Sequence, residues 1–164
     1  LEFIEAMHLF GVRPEQIKVL VHPQSIVHSM VEYKDNSVIA QLGLPDMRLP
    51  IQYALTYPER VESITAELDF TKIAALTFEE PDLTAFRCLA LAMETAKMPG
   101  AACAVMNAAN EEAVGLFLQD KIQFGAIYEM VRETIEQLRG RQAHRLEDIL
   151  AADEEARRFV LRKA

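Results

Sequence analysis

The sequence predicts an α+β protein, in which a partial mixed sheet with helices is followed by a C-terminal helical bundle. Short runs rich in β-branched residues are typical of strands, and they occur at residues 17–21, 26–33 and 37–42. From residue 82 onward, apolar side chains recur at helical spacing between short connections, which indicates antiparallel helices. We therefore divide the chain into a sheet-containing segment (1–58), a connector (59–81) and a helical bundle (82–164).

The first segment is predicted to begin with a helix over residues 1–10, which carry an amphipathic pattern and are followed by Gly11. Lys34-Asp35-Asn36 joins the second and third strand runs into a hairpin. A second helix is expected at residues 50–57, ending before Pro58. In the connector, residues 72–78 indicate one more strand, which could join an edge of the sheet.

The bundle is predicted to begin at Asp82, because Asp82 and Thr84 can cap a helix. Four apolar stripes indicate four helical regions whose stripes face the core. They are Leu83, Phe86, Leu89, Ala90 and Met93; Val105, Ala108, Ala109, Ala113, Leu116 and Phe117; Ile127, Val131, Ile135 and Leu138, closed by Gly140; and Leu146, Ile149, Leu150, Phe159 and Val160.

The composition excludes two classes of function. Of the 164 residues, 51% are hydrophobic and 26% are charged, as in a globular protein. The net charge of −8 argues against a nucleic-acid-binding surface, which would collect Lys and Arg on one face. No apolar run approaches the roughly 18–20 residues that a membrane span requires. We therefore expect neither a nucleic-acid nor a membrane partner.

The cysteines and the basic C-terminal residues give two further expectations. Cys88 and Cys103 lie in helical, Ala/Leu-rich sequence without metal-ligand spacing, so we expect buried, reduced thiols of a cytosolic protein. The basic C-terminal residues follow a run of acids, which predicts a solvated helix end; they are Arg157, Arg158, Arg162 and Lys163.

Residues 22–50 carry more polar function than a core needs, and the chain opens directly in helical sequence, LEFIEA, without an initiator Met. We expect a piece of a larger enzyme, cut at the edge of its active site. Glu2 and Glu5 are three residues apart on one helical face, and paired carboxylates suit Mg²⁺ or Mn²⁺. An ordinary solvated helix face carries such pairs equally well.

Two histidines flank the Pro-Gln-Ser turn. On a regular strand, His28 would share a face with Ile26 and Met30, as a structural imidazole or as an acid–base group. His22 and His28 lack the helical spacing of a zinc pair. Met47 follows a Gly-Leu-Pro break, either as an apolar surface for a ring or as a packed loop residue.

Two further segments are less informative. Residues 107–111 place two amides and a carboxylate in an apolar helix, which is typical of polar groups tying a helix to a neighbouring loop. The sequence has no phosphate-cradling Gly-rich loop and no GxGxxG, so we expect no nucleotide-binding fold within it.

Four motifs in this chain resemble the 1-deoxy-D-xylulose 5-phosphate reductoisomerases. They are LEFIEA, HPQSIVHSMVEYKDNSVIAQLGLPDMRLPI, LDFTKIAALTFEEPD and MNAANEEAV, and they follow the order and spacing of that family from Leu1 to near the C-terminus. The resemblance implies conversion of a sugar phosphate, 1-deoxy-D-xylulose 5-phosphate, to 2-C-methyl-D-erythritol 4-phosphate. The implied cofactors are NADPH and Mg²⁺ or Mn²⁺, and the implied pathway is the non-mevalonate route of isoprenoid biosynthesis.

The resemblance also implies a place in the cell, an assembly and a domain assignment. It implies a homodimer, in the cytoplasm or, in a eukaryote, in a plastid or apicoplast. Segment 1–58 corresponds to the C-terminal part of the catalytic domain, and 82–164 to the C-terminal helical domain.

Site residues follow from the same resemblance, position by position. Glu2 matches one of three carboxylate ligands of the metal, and His28 matches an active-site histidine that orients substrate. Ser25 matches a substrate-binding residue, and Pro45 and Met47 match residues near the nicotinamide. His22 and residues 107–111 are interpreted as structural. The family's other metal ligands, phosphate-binding residues, lid and nucleotide domain have no match in this sequence, so we expect the isolated chain to be inactive.

The alternative hypothesis is a self-contained, non-enzymatic interaction module that dimerises through an exposed sheet edge. Complementation by the missing part of the enzyme separates the two hypotheses, because only the enzymatic one predicts that activity is restored.

Overall fold

The computed structural model describes residues 1–163 and confirms an α+β chain that is mostly helical. Its helices and strands are α1 (Glu2–Phe10), β1 (Val27–Glu32), β2 (Val38–Leu42), α2 (Arg48–Thr56), α3 (Arg87–Thr95), α4 (Ala102–Leu118), α5 (Phe124–Gln137) and α6 (Leu146–Lys163). The chain folds as two compact units: residues 20–81, called here the hairpin unit, and residues 1–19 with those from Asp82 onward, called the helical unit. The domain boundaries predicted at 58/59 and 81/82 remain predictions.

The core of the helical unit lies around α4, which packs against both α5 and α6. Val105, Val131 and Val160, one from each helix, are at most 2% exposed. Small side chains allow the helices to approach closely; Ala108, Ala109 and Ala113 of α4 are fully buried. The second and third predicted stripes therefore face the core as expected, and only Phe117 of the second is partly exposed.

The first and fourth stripes were predicted only partly correctly: Met93 packs against the core and Val160 is buried in it, but other predicted residues are exposed. In α3 the buried side chains are Leu91, Ala92 and Thr95, whereas Leu83 and Phe86 are exposed. The helix begins only at Arg87, because the backbone of the preceding Phe86 is not helical (φ −97°, ψ 60°). The Asp82 carboxylate instead accepts hydrogen bonds from the backbone amides of residues 84 and 85, forming a separate turn.

In α6 the buried stripe is Ala152, Ala156 and Val160, while Leu146 and Leu150 are 65% and 58% exposed. The three buried residues are spaced four apart and face the alanine-rich surface of α4, which admits small side chains. Size, rather than hydrophobicity alone, decides which face of α6 is buried.

The hairpin unit contains the predicted hairpin, with β1 and β2 antiparallel. Its turn closes through a hydrogen bond from the Tyr33 amide to the Ser37 carbonyl, with Asn36 at a φ of 64°. The Asp35 carboxylate accepts a hydrogen bond from the Ser37 amide at 3.0 Å. The predicted helix over 50–57 is also present, as α2.

The other two predicted strands do not form within the described residues. Neither run pairs along its length: Val21 forms a single antiparallel bridge with Glu79, one residue beyond the run 72–78, and Phe70–Lys72 is a short 3-10 helix. An extended run forms a strand only where a neighbour pairs with its backbone amides and carbonyls along its length. The sheet of residues 1–163 is therefore two-stranded and antiparallel, not mixed.

Candidate functional site

The residues predicted to bind substrate and cofactor lie at one end of the hairpin. Because the strands are antiparallel, the start of β1 lies beside the end of β2, with Val27 opposite Leu42. The Gly43 amide then donates a hydrogen bond to the Ile26 carbonyl at 3.0 Å. Ser25 and His28 at the start of β1 and the turn Pro45–Met47 after β2 are thus brought to the same end.

His28 lies in a β-bulge. Val27 is paired with Leu42 and Ser29 with Gln41, so His28 is the extra residue for which β2 has no counterpart. A bulge interrupts the alternation of side chains and bends the strand, and it is a common way to redirect one side chain beside a functional site. The regular strand from Ile26 to Met30 that the prediction assumed is therefore not formed, since β1 begins at Val27 and is irregular at His28.

The His28 ring lies next to a residue without a side chain. A Cβ atom built on Gly43 would be 3.7 Å from His28 Nε2 and 3.0 Å from Leu49 Cδ2. Gly43 itself is buried, whereas His28 is exposed. The absence of a side chain at residue 43 therefore leaves space that is bordered by His28 Nε2 and the Leu49 side chain.

Ser25 has an unusual backbone conformation. Its φ of 49° lies in the left-handed region, which few residues other than glycine and asparagine adopt. Its amide donates a hydrogen bond to the His22 carbonyl at 3.0 Å, closing the turn made by the Pro23-Gln24 pair. The side chain of Ser25 is exposed at the end of this turn, immediately before the buried Ile26.

The turn after β2 is held by an ion pair. The Asp46 carboxylate accepts a hydrogen bond from the Arg48 amide at 2.9 Å and faces the Arg48 guanidinium. Hydrogen bonds from the Arg48 side chain, then from its amide, lower the pKa of Asp46 to about 2. Met47 lies between these two residues and is 71% exposed, as expected of a residue presented on a turn.

Glu2 belongs to the helical unit, in the first turn of α1. Its side chain is 95% exposed, and a hydrogen bond from its own backbone amide lowers its pKa. Within residues 1–163, no three His, Cys, Asp or Glu side chains are grouped closely enough to hold a metal ion. The donors of this chain alone therefore do not fit a Mg²⁺ site, since that ion needs several oxygen ligands.

The residues of this chain likewise form only part of an NADPH-binding site. Pro45 and Met47 are both exposed and offer apolar atoms to a ring, but they form one edge of a binding surface and not an enclosed site.

Three smaller predictions have mixed outcomes. Both cysteines are free thiols, but Cys88 is exposed and Cys103 is half-buried. Cys88 shares the helix face of Leu91, Ala92 and Thr95 but lies in the first turn of α3. Asn107 lies 3.4 Å from Glu111, which pairs with Arg157, so this segment ties α4 to α6 rather than to a loop. No helix among residues 1–163 has the length and apolar character needed to span a bilayer.

Two residues near the site were missed by the sequence reasoning. Gly43 leaves room beside His28, and Thr77 contacts the turn that contains Ser25. The signal for Gly43 was present in the Gly-Leu-Pro break; for Thr77 there was none, because its partners lie more than 50 residues away in the sequence.

Comparison with known proteins gives one consistent result. Residues 42–159 match the family model described as the DXP reductoisomerase C-terminal domain. A 1-deoxy-D-xylulose 5-phosphate reductoisomerase from Acetivibrio thermocellus is 55% identical over 98% of this chain, and one from Chloroherpeton thalassium is 53% identical over 100% of it. The chain spans about 42% of the length of these curated relatives.

Solved structures agree. The reductoisomerase from Zymomonas mobilis in complex with NADPH is 49% identical, with a TM-score of 0.91 over 99% of this chain and 43% of its own. A DOX-P reductoisomerase in complex with NADPH, fosmidomycin and magnesium is 43% identical, with a TM-score of 0.92 over 99% of this chain and 42% of its own.

Proposed function

This chain belongs to the 1-deoxy-D-xylulose 5-phosphate reductoisomerase family, and we propose that it supplies the C-terminal part of an enzyme with that activity. The enzyme converts 1-deoxy-D-xylulose 5-phosphate to 2-C-methyl-D-erythritol 4-phosphate, with NADPH as the hydride donor. The observation that carries the proposal is the meeting of Ser25, His28, Pro45 and Met47 at one end of the hairpin.

Each residue has a proposed role that its surroundings support. His28 orients the substrate, and its place in the bulge beside Gly43 gives the ring a defined position. Ser25 contacts the substrate from an exposed turn whose backbone conformation is fixed by a hydrogen bond. Pro45 and Met47 contact the nicotinamide end of the cofactor, which is consistent with the exposure of both side chains.

Glu2 is proposed as one carboxylate ligand of a divalent ion whose other ligands come from outside residues 1–163. Its side chain is exposed, so the carboxylate is accessible to an ion. Mg²⁺ and Mn²⁺ are both proposed, because both ions accept carboxylate oxygen ligands. Three of the similar structures contain magnesium.

A homodimer is proposed as the active assembly. The hairpin supports this, because several of its apolar side chains are solvent-exposed, among them Val31 (56%) and Ile39 (63%). Exposed apolar surface of this kind is typical of a region that another part of the protein or a second copy covers. The proposed location is the bacterial cytoplasm, in line with the bacterial relatives, or a plastid or apicoplast in a eukaryote.

A chimera tests the proposal. In it, this chain replaces the matching region of the Acetivibrio thermocellus relative, and activity is followed as NADPH oxidation dependent on 1-deoxy-D-xylulose 5-phosphate and Mg²⁺. We expect the chimera to turn over and the isolated chain not to. In the chimera, His28→Ala should lower kcat/KM by about 100-fold, the scale of lost substrate orientation.

The control is Thr71→Val, in the same unit but outside the hairpin end, which should leave kcat/KM unchanged. A folded chimera without turnover would refute the proposal and favour the non-enzymatic interaction module. Turnover by the isolated chain would contradict its expected inactivity.

A further inference from the structure

Residues 77–79 are bound closely to the segment that precedes Ser25. The Val21 amide donates to the Glu79 carbonyl at 2.8 Å, and the Glu79 amide donates to the Val21 carbonyl at 2.9 Å. This pair of bonds is an isolated bridge, with no continuing strand on either side. The contact is therefore local, and the side chains beside it determine how firmly the two segments are joined.

Thr77 uses all three of its polar groups in this contact. Its hydroxyl accepts a hydrogen bond from Gln24 Nε2 at 2.8 Å, and its amide donates to Gln24 Oε1 at 3.2 Å. Its carbonyl lies 2.8 Å from His22 Nδ1. A carbonyl oxygen only accepts hydrogen bonds, so Nδ1 must carry the proton.

The His22 ring makes a stacking contact in addition to its hydrogen bond with Thr77. It stacks on Phe78, with ring centroids 4.6 Å apart and an interplanar angle of 13°. The His22 carbonyl is the acceptor for the Ser25 amide, at 3.0 Å. His22 therefore links the two segments: its side chain is bound to residues 77 and 78, and its backbone closes the turn at Ser25.

The left-handed conformation of Ser25 needs such support. A residue with a Cβ atom is unfavourable in that region, and it stays there only when the surrounding structure determines it. The ends of the turn are His22 and Ser25, and its middle includes Gln24. Two of these three residues are bound by their side chains to Thr77.

We propose that Thr77 is a positioning residue, which holds Ser25 in its left-handed turn through Gln24 and His22. The consequence for substrate binding rests on the proposed function, because Ser25 is a proposed substrate contact. Thr77 itself need not touch the substrate.

The positioning is tested in the 164-residue chain by the backbone chemical shifts of Ser25, which distinguish left-handed from extended conformations. Thr77→Val keeps the side-chain shape but removes the hydroxyl, and it should shift the Ser25 signals toward extended values. Thr71→Val is the matched control, because Thr71 bonds only to Asp69 in its own short helix. It should leave the Ser25 signals unchanged.

His22 offers a pair of variants that separate its two contacts. His22→Phe keeps an aromatic ring to stack on Phe78 but removes the donor to Thr77, and it should release Ser25. His22→Asn can place an amide N–H near the position of Nδ1, and it should restore much of the left-handed signature. Ser25 signals that are the same in wild type, Thr77→Val and His22→Phe would overturn the proposal.

The chimera tests the consequence. Thr77→Val should raise KM for 1-deoxy-D-xylulose 5-phosphate by about five- to tenfold, the loss of roughly one hydrogen bond, with kcat and the KM for NADPH unchanged. A fall in kcat alone, or an equal rise in both KM values, would refute a role in positioning Ser25 for substrate. If the unmutated chimera has no activity, the proposed function fails, and the Ser25 chemical shifts still decide the positioning.

Discussion

Asp46 and Arg48 form a two-point ion pair, with Arg48 Nε 3.0 Å from Asp46 Oδ1 and Nη2 2.6 Å from Oδ2. Charge-assisted bonds in this paired geometry are among the more specific polar contacts that a protein makes. Because the Arg48 amide bonds to the same carboxylate, the pair fixes both the side chain and the backbone around Met47. The presentation of Met47 therefore depends on the ionised form of Asp46.

This dependence predicts a response to acid. The pKa of Asp46 is lowered to about 2, so the ionised form is favoured in the folded turn. Because the pKa of Asp46 is lower in the folded than in the unfolded chain, its ionisation stabilises the folded state. This stabilisation is complete above the unfolded pKa, near pH 4, and is lost as the pH falls toward 2. The measurement is the pH titration of the Asp46 carboxyl carbon and the Arg48 Nε signal by NMR. A midpoint near 4 for both signals would contradict the ion pair.

The contacts of Arg157 predict that its replacement by lysine destabilises the protein more than the same replacement of the neighbouring Arg158 in α6. Its guanidinium contacts Asp153 at 2.8 Å, and Glu111 and Glu112 of α4 at 2.6 and 3.3 Å. Lysine carries the same charge but lacks the planar fork that serves several acceptors at once. Arg157→Lys should therefore lower the free energy of unfolding by about 1 kcal/mol, measured by urea denaturation followed by helical circular dichroism.

Arg158→Lys is the matched control. Arg158 is 62% exposed and makes one pair with Glu154, at 3.4 Å within the same helix. Exposed pairs of this kind contribute little, so the change should stay within about 0.5 kcal/mol. Equal losses in the two variants would show that the network around Arg157 adds nothing beyond ordinary surface charge.

The helices could be predicted from sequence better than the strands, for a physical reason. The backbone bonds of α4 and α5 are made within each helix, and their apolar spacing already marks the buried face. A strand depends on a partner that the local sequence does not specify. Residues 17–21 and 72–78 have strand-like composition but do not pair along their length; a single bridge joins Val21 to Glu79, just after the second run.

In the candidate site, too, features set by local sequence could be predicted and features set by tertiary contacts could not. Ser25, His28, Pro45 and Met47 were identified through resemblance, and the hairpin pairing that brings them together could be anticipated from the turn residues. The bulge at His28 could not be anticipated, because one extra residue in a strand pair depends on the register of both strands. Contacts that cross the hairpin unit, such as the one to Thr77, are likewise set by tertiary packing.

Alanine substitutions at three glycines of the helical unit should change the free energy of unfolding by graded amounts. Gly100 has a φ of 74°, and a Cβ atom there would collide with the backbone carbonyl oxygen of Arg141. That oxygen also accepts the Ala101 amide at 2.9 Å, so it cannot move freely. Gly100→Ala should therefore cost about 3 kcal/mol, combining left-handed strain with displacement of the backbone.

Gly140 and Gly115 separate these two effects. Gly140 has a φ of 84° but open space around its Cβ position, so Gly140→Ala should cost only the strain, about 1–2 kcal/mol. Gly115 lies inside α4, also in open space, and Gly115→Ala should stabilise the protein by about 0.5–1 kcal/mol. Urea denaturation of the three variants measures the order. If Gly100→Ala cost no more than Gly140→Ala, the Arg141 carbonyl would not be fixed against Gly100, and the contact between these two loops would be looser than the hydrogen bond to Ala101 implies.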